Sequence, residues 1–190
     1  MTNLTIDHKK TALVVIDLQK GIVANNTAPY TSSKVIANAA AIANKFRENK
    51  MQVFLVRVST AKDDKDKLIP LTDRKPFSSP QQPDWSEIVP EMGQSTDDIV
   101  ITKHQWGAFY GTELDLQLRR RGIDTIVLCG ISTNIGVEST ARFAYEYGYN
   151  QIFVEDAMSA MSADEHHATV SAIFPRIGLV RSAQDVLASL

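Results

Sequence analysis

Three stretches of the chain place polar or small residues directly after apolar runs that read as buried strands. Asp17, with Gln19 two positions on, follows Thr11-Ala12-Leu13-Val14-Val15-Ile16. Lys103 follows Asp97-Asp98-Ile99-Val100-Ile101-Thr102. Gly130-Ile131-Ser132-Thr133-Asn134-Ile135-Gly136 follows Thr125-Ile126-Val127-Leu128-Cys129. In open α/β sheets, ligands bind at the carboxyl ends of the strands. A carboxyl group and an ammonium brought together there can move a proton or stabilise a developing charge. The third stretch is a strand-to-helix corner. Gly130 reads as the tight turn, and a helix reads from Asn134, with Val137, Ala141, Ala144 and Tyr145 at helical spacing. The first N–H groups of such a helix lack internal partners and suit an anionic or carbonyl oxygen. Asp17 also has a plainer reading as a turn cap. The residue by itself leaves both open.

The elements that must hold these residues alternate in type. Strands read at 11–16, 51–58, 97–102, 125–129, 151–154 and 177–180. Helices read at 33–49, 112–119, 134–147, 162–174 and 182–190. The helix at 33–49 carries Val35, Ile36, Ala39, Ile42, Ala43 and Phe46 on one face, and Ser162 with Glu165 forms a capping box. Such alternation predicts an α/β fold, a parallel sheet with helices on both faces and right-handed crossovers. Residues 59–97 are irregular and hold Pro70, Pro76, Pro80, Pro83 and Pro90, five of the seven prolines. A loop of that length in a compact domain is usually functional or mobile.

Bulk properties narrow the function. A chain of 190 residues predicts one domain over 1–190, and 44% apolar residues are ordinary for a globular protein. A net charge of −2 gives no footprint for nucleic acid. Arg119-Arg120-Arg121 reads as a helix end complementing its dipole. No apolar run approaches membrane-spanning length, and Met1-Thr2-Asn3-Leu4-Thr5 does not read as a signal peptide. The single Cys129 cannot form an internal disulfide and suits a reducing cytoplasm.

The corner Gly130-Ile131-Ser132-Thr133-Asn134-Ile135-Gly136-Val137-Glu138-Ser139-Thr140-Ala141 resembles the signature of the isochorismatase-like, or cysteine hydrolase, family. Two further stretches carry the resemblance: Val14-Val15-Ile16-Asp17-Leu18-Gln19, and Thr102-Lys103-His104 with Phe109-Tyr110-Gly111-Thr112. The resemblance implies a three-layer α/β/α fold with a six-stranded parallel sheet in the order 3-2-1-4-5-6. It implies a triad of Asp, Lys and nucleophilic Cys, matched here by Asp17, Lys103 and, at the cysteine position, Gly136. Members that hydrolyse isochorismate also lack the cysteine and cleave an enol ether by protonation and water addition. The expected activity is therefore hydrolysis of a small molecule without a cysteine nucleophile, with Asp17 as general acid or base and Lys103 as its electrostatic partner. The alternative is a catalytically degenerate member that binds a small molecule or a protein partner. A Ser132 or Thr133 nucleophile ranks last, because no base other than Asp17 is in view.

The resemblance also implies a non-proline cis peptide at Ile131–Ser132, with the Ser132 and Gly136 N–H groups facing one substrate oxygen. Gln19, Trp106, Phe109, Ile131 and Ser132 are the expected substrate-binding residues, with Tyr110 as a further candidate wall. Arg57 could meet a substrate carboxylate or tie down the loop 59–97. The nicotinamidase branch binds a metal through an Asp-x-His pair and a further His after the second strand. The corresponding residues 57–64 contain no His, so neither a metal nor another cofactor is expected. His166 and His167 are adjacent and would diverge by about 100° on a helix. His104 could line the pocket or lie at the surface. Cys129, inside a buried strand, reads as inert. The family commonly assembles, and the aromatic loop 104–112 offers apolar surface, so a homo-oligomer, dimer or tetramer, is expected.

Overall fold

A computed structural model of the chain describes residues 4–73 and 82–190. Met1–Asn3 and residues 74–81 of the long irregular segment lie outside the described residues. Six strands form one sheet: β1 (Thr11–Ile16), β2 (Gln52–Val58), β3 (Ile99–Lys103), β4 (Thr125–Ile131), β5 (Asn150–Ser159) and β6 (Leu179–Arg181). Their order is β3-β2-β1-β4-β5-β6, and every neighbouring pair is parallel. The helices are α1 (Lys20–Val23), α2 (Ser32–Glu48), α3 (Leu114–Arg120), α4 (Glu138–Glu146), α5 (Ala163–Ala168), α6 (Phe174–Ile177) and α7 (Ala183–Leu187).

β1 explains why the sheet is buried on both faces. All six of its residues are buried. Leu13 and Val15 join a core with Val35, Ala39, Ile42 and Phe46 of α2 and Val186 of α7. Ala12, Val14 and Ile16 join a second core with Leu114 and Leu118 of α3, Ala141 and Ala144 of α4, and Phe174 of α6. Side chains alternate across a strand, so a strand that is apolar at every position must be covered on both sides. On the first face, α2 starts where the Thr31 side chain caps the Lys34 N–H. On the second face, the Phe174 ring stacks on Phe153 with centroids 3.9 Å apart and seats α6.

The structure departs from the sequence reading at three places near the sheet's carboxyl edge. Gly130 is no turn: it lies inside β4 opposite Ile16, with φ 126°. A Cβ there would collide with the Ile16 carbonyl, so the glycine serves close approach of two backbones. β5 runs on through Glu155 and Asp156 to Ser159, past the predicted end at 154. Both carboxylates have partners, the Tyr30 hydroxyl on Glu155 and the Ala183 N–H on Asp156, so the charges do not end the strand. The helix expected from Asn134 opens with a wide turn over Thr133–Val137, in which the Val137 N–H reaches back to the Ser132 carbonyl, and α4 proper starts at Glu138.

Candidate active site

β1 and β4 are adjacent strands whose connections leave in opposite directions, and this switch point opens a crevice at the carboxyl edge. A cavity of 420 Å³ occupies it. Asp17, Lys103, Ile131, Ser132 and Gly136 line the cavity, which brings the ends of β1, β3 and β4 to one place. Trp106 and His104 stand at its rim with Trp85, Leu68 and Met161.

Asp17 ends β1 in the left-handed region, φ 53°, which Asp tolerates better than most residues. Its own N–H still donates to the Val56 carbonyl, so the ladder holds while the side chain turns toward the crevice. Lys103 is 1% exposed, and its Nζ donates to Asp17 Oδ2 at 2.8 Å and to the Gln105 carbonyl at 3.0 Å. The other carboxyl oxygen, Asp17 Oδ1, is buried and has no hydrogen-bond partner. Burial pushes the Asp17 pKa up to about 6, against the opposing charge and hydrogen bond of Lys103 and a smaller contribution from the Val58 backbone. A carboxyl group so poised can give or take a proton near neutral pH.

The corner is pinned from several sides. The Ser132 carbonyl accepts N–H groups of Ile135 and Val137. The Thr140 hydroxyl donates to the Gly136 carbonyl at 2.7 Å and accepts the Ala108 N–H at 3.1 Å, tying the corner to the loop 104–112. The Ile131–Ser132 peptide is cis. Gly136 lies against the acid: a Cβ on it would sit 3.0 Å from Asp17 Oδ2 and 3.0 Å from Ile16 Cγ2. Those distances are tighter than ordinary van der Waals contact, so even a methyl group would press on the carboxyl.

Two of the expected substrate-binding residues do not line the cavity. Gln19 is fully buried, and its amide is spent on the frame: Oε1 accepts the Val58 N–H, and Nε2 donates to the carbonyls of Val58 and Trp85. It ties the ends of β1 and β2 to the segment carrying Trp85. Phe109 is turned into the second core, against the rings of Tyr147 and Tyr149. Tyr110 is exposed and absent from the lining. The aromatic wall is Trp85 and Trp106 instead. Trp85 escaped the sequence reading because it sits in the irregular segment. The available signal was Gly21, where a Cβ would collide with the Trp85 ring.

Other candidates fall in distinct places. Arg57 Nε donates to Thr102 Oγ1 across β2 and β3, outside the cavity lining. His104 lines the rim, with Nδ1 at 2.7 Å from the Ser59 carbonyl. Cys129 faces the α2 core, and burial pushes its thiol pKa up to about 12. Thr133 is wholly buried and absent from the lining, but it is not without a base: its hydroxyl lies 2.9 Å from Nδ1 of the buried His166. Having no access to the cavity, that hydroxyl cannot meet a ligand there.

Residues 11–185 match the Isochorismatase domain. The chain belongs to the isochorismatase family. Within the family it is 53% identical to YwoC of Bacillus subtilis, over 98% of this chain and 97% of that one. A solved isochorismatase family protein from Burkholderia thailandensis is 48% identical and superposes with a TM-score of 0.94, covering 98% of this chain and 97% of the other. N-carbamoylsarcosine amidase from Thermoplasma acidophilum is 31% identical with a TM-score of 0.74, covering 92% and 96%. The protein is thus an isochorismatase-family hydrolase, and its fold is similar to that of an amidase.

Proposed function

We propose that this family member hydrolyses an enol-ether-type bond in a small molecule by general acid catalysis and water addition, without a covalent enzyme intermediate. The observation that carries the reading is the Asp17 carboxyl group, with one oxygen on Lys103, the other buried and unpartnered, and a glycine in place of a side chain directly against it. A thiol at position 136 would supply a nucleophile for amide substrates. Glycine supplies none, and Cys129 lies across the sheet in the other core.

The chemistry then runs through one group. The protonated Asp17 gives its proton to the terminal carbon of the C=C bond, leaving an oxocarbenium ion and a carboxylate. Water adds to the cationic carbon and returns a proton to Asp17. The resulting hemiketal breaks its C–O bond, releasing an alcohol and a ketone. Lys103 steadies the carboxylate while it lacks its proton. Ser132 and Gly136 backbone at the corner, with Trp85 and Trp106 at the walls, would hold the substrate. We read the protein as a cytoplasmic homo-oligomer, because its one cysteine is a buried free thiol and because Trp106, Tyr110, Phe143 and Tyr147 are exposed apolar side chains. Sedimentation giving only monomer at micromolar concentration would overturn the assembly.

A panel of isochorismate, simple vinyl ethers, nicotinamide, carbamoyl compounds and ureido compounds tests the activity. Ketone release from the enol ethers, with no mass adduct on the protein and no loss after thiol alkylation, is the expected result. Hydrolysis confined to amides or ureides, or an acyl adduct trapped on the chain, overturns it.

A further inference from the structure

Behind the corner, on the side away from the cavity, lies a buried polar chain that the proposed chemistry does not use. His166 of α5 is completely buried. Its Nδ1 lies 2.9 Å from Thr133 Oγ1. Its Nε2 has no hydrogen-bond partner and faces Glu155 Oε1 of β5 at 3.6 Å. The same Glu155 oxygen accepts the Tyr30 hydroxyl at 2.7 Å, and the Tyr30 ring meets the His166 ring edge-on, with centroids 5.9 Å apart. His167 is the remaining titratable neighbour, its ring 5.6 Å away. Glu155 is partly exposed, whereas Thr133 is wholly buried.

A buried imidazole with a hydroxyl on one nitrogen and a carboxylate on the other resembles a nucleophile, base and orienting acid. The burial of Thr133 rules out that role and leaves a mechanical one. Thr133 directly follows Ser132 and opens the wide turn that ends with Gly136 and Val137. Thr140 holds the end of that turn through the Gly136 carbonyl, and Thr133 anchors its start. Burial also pushes the His166 pKa down, against the opposing charge of Glu155. The neutral tautomer that suits both neighbours carries its proton on Nε2, toward Glu155, and accepts the Thr133 hydroxyl at Nδ1.

We propose that His166 is a positioning residue, one that fixes the Ser132–Gly136 corner through Thr133, with the charge of Glu155, itself held by the Tyr30 hydroxyl, favouring the Nε2–H tautomer of its ring. Its consequence for turnover rests on reading the cavity as the reacting site. Its consequence for the corner does not, so the test does not begin from activity.

Hydrogen exchange of the full chain at neutral pH, read in peptides covering 131–137, measures the anchor directly. Thr133→Val keeps the shape and removes only the hydroxyl. His166→Leu removes the acceptor. His166→Asn places an amide oxygen near the former Nδ1. We expect exchange in 131–137 to be about fivefold faster in Thr133→Val and in His166→Leu, and close to wild type in His166→Asn. Exchange in β1 and α2 should be unchanged in Thr133→Val. Ring ¹⁵N shifts of His166 should report the Nε2–H tautomer in wild type and lose it in Glu155→Gln. Unaltered exchange in Thr133→Val, or equal loss of protection across the whole chain, overturns the proposal. So does failure of His166→Asn to restore what His166→Leu loses. Where a substrate is found, Thr133→Val should lower kcat with KM within about twofold of wild type. If none turns over, the reading of the reaction fails while the exchange result still decides the anchor.

Discussion

Among the described residues, two acid–cation pairs are largely shielded from water, and they are built differently. In one, Arg47 of α2 holds Asp98 through Nε at 3.1 Å and Nη2 at 2.8 Å, and the Ser95 N–H also donates to the carboxylate. The arginine also donates to the Met92 carbonyl through Nη2 and to Asn44 Oδ1 through Nη1. In the other, Lys103 holds one oxygen of Asp17, the second oxygen is orphaned, and the pair lines a cavity. A pair in which both carboxylate oxygens are hydrogen-bonded is a brace. A buried carboxyl with an unsatisfied oxygen is destabilised as an anion, and that same destabilisation is what lets it carry a proton near neutral pH. The contrast separates structure from chemistry within one sheet, and it can be broken by exchanging the consequences of mutation.

The largest expected effect is on turnover. Asp17→Asn keeps the shape and removes the proton, so kcat should fall by about 10²–10⁴-fold. Asp98→Ala should leave the kcat of the folded protein unchanged. Steady-state rates on whichever enol ether responds in the panel give the comparison, and an active Asp17→Asn enzyme would dissolve it. The second effect is the mirror image. Asp98→Ala strands a mostly buried guanidinium and should cost about 3 kcal/mol of stability, read as a lower urea midpoint at unchanged slope. A loss under about 1 kcal/mol would make that pair a surface ornament rather than a brace.

The third effect is a pH profile. The Asp17 pKa is raised from 3.8 to about 6, so the acid form is nearly complete at pH 5 and decays above pH 6. If the protonated form does the work, kcat/KM should be flat on the acid side and fall about tenfold per pH unit beyond 6. A rate that instead rises through pH 6 assigns Asp17 the role of base and excludes the proton-donor step. The same shift has a sign for folding. The contribution of this carboxyl to stability is complete below its ordinary value and is lost as pH rises through about 6, because the ionised form is the one burial penalises.

The brace and the acid differed in how legible they were. The six strands and the placement of Asp17, Lys103 and the corner after three of them could be read from apolar runs, because a strand covered on both faces cannot hide its composition. Asp98 could not be separated from the surface charges around it, since its partner Arg47 is distant in sequence and lies on another element. Gly130 was misread because a glycine signals freedom without saying whether a turn or a neighbouring backbone requires it; the Ile16 carbonyl decides. Gln19 and Phe109 were expected in the pocket from the family resemblance, but an amide can satisfy backbone groups and a phenyl ring can fill a core just as well. Trp85 and His166 were invisible as site residues, because each acts across elements that only the folded chain brings together.

The smallest expected effect tests how closely the acid depends on the glycine. Gly136 lies in the wide turn but outside the left-handed region, so alanine is not excluded by φ. The obstacle is space, since the new methyl group would sit 3.0 Å from Asp17 Oδ2. The Ile16 methyl on the other side is fixed by the β1 core, so the carboxyl is the part that gives way. A shift of a few tenths of an ångström moves Oδ2 relative to Lys103 Nζ, which now lies at 2.8 Å. Lys103 is the main influence holding the Asp17 pKa down against burial, so loosening it raises that pKa further. Gly136→Ala should therefore cost about 1 kcal/mol of stability and move the alkaline limb of the pH profile above 6. Gly136→Cys should share both changes and add an alkylatable thiol, so the pair of variants separates the cost of volume from the effect of a nucleophile. An unmoved pH limb in Gly136→Ala would mean that the acid is set by burial alone, and that the glycine merely omits a side chain without tuning the one beside it.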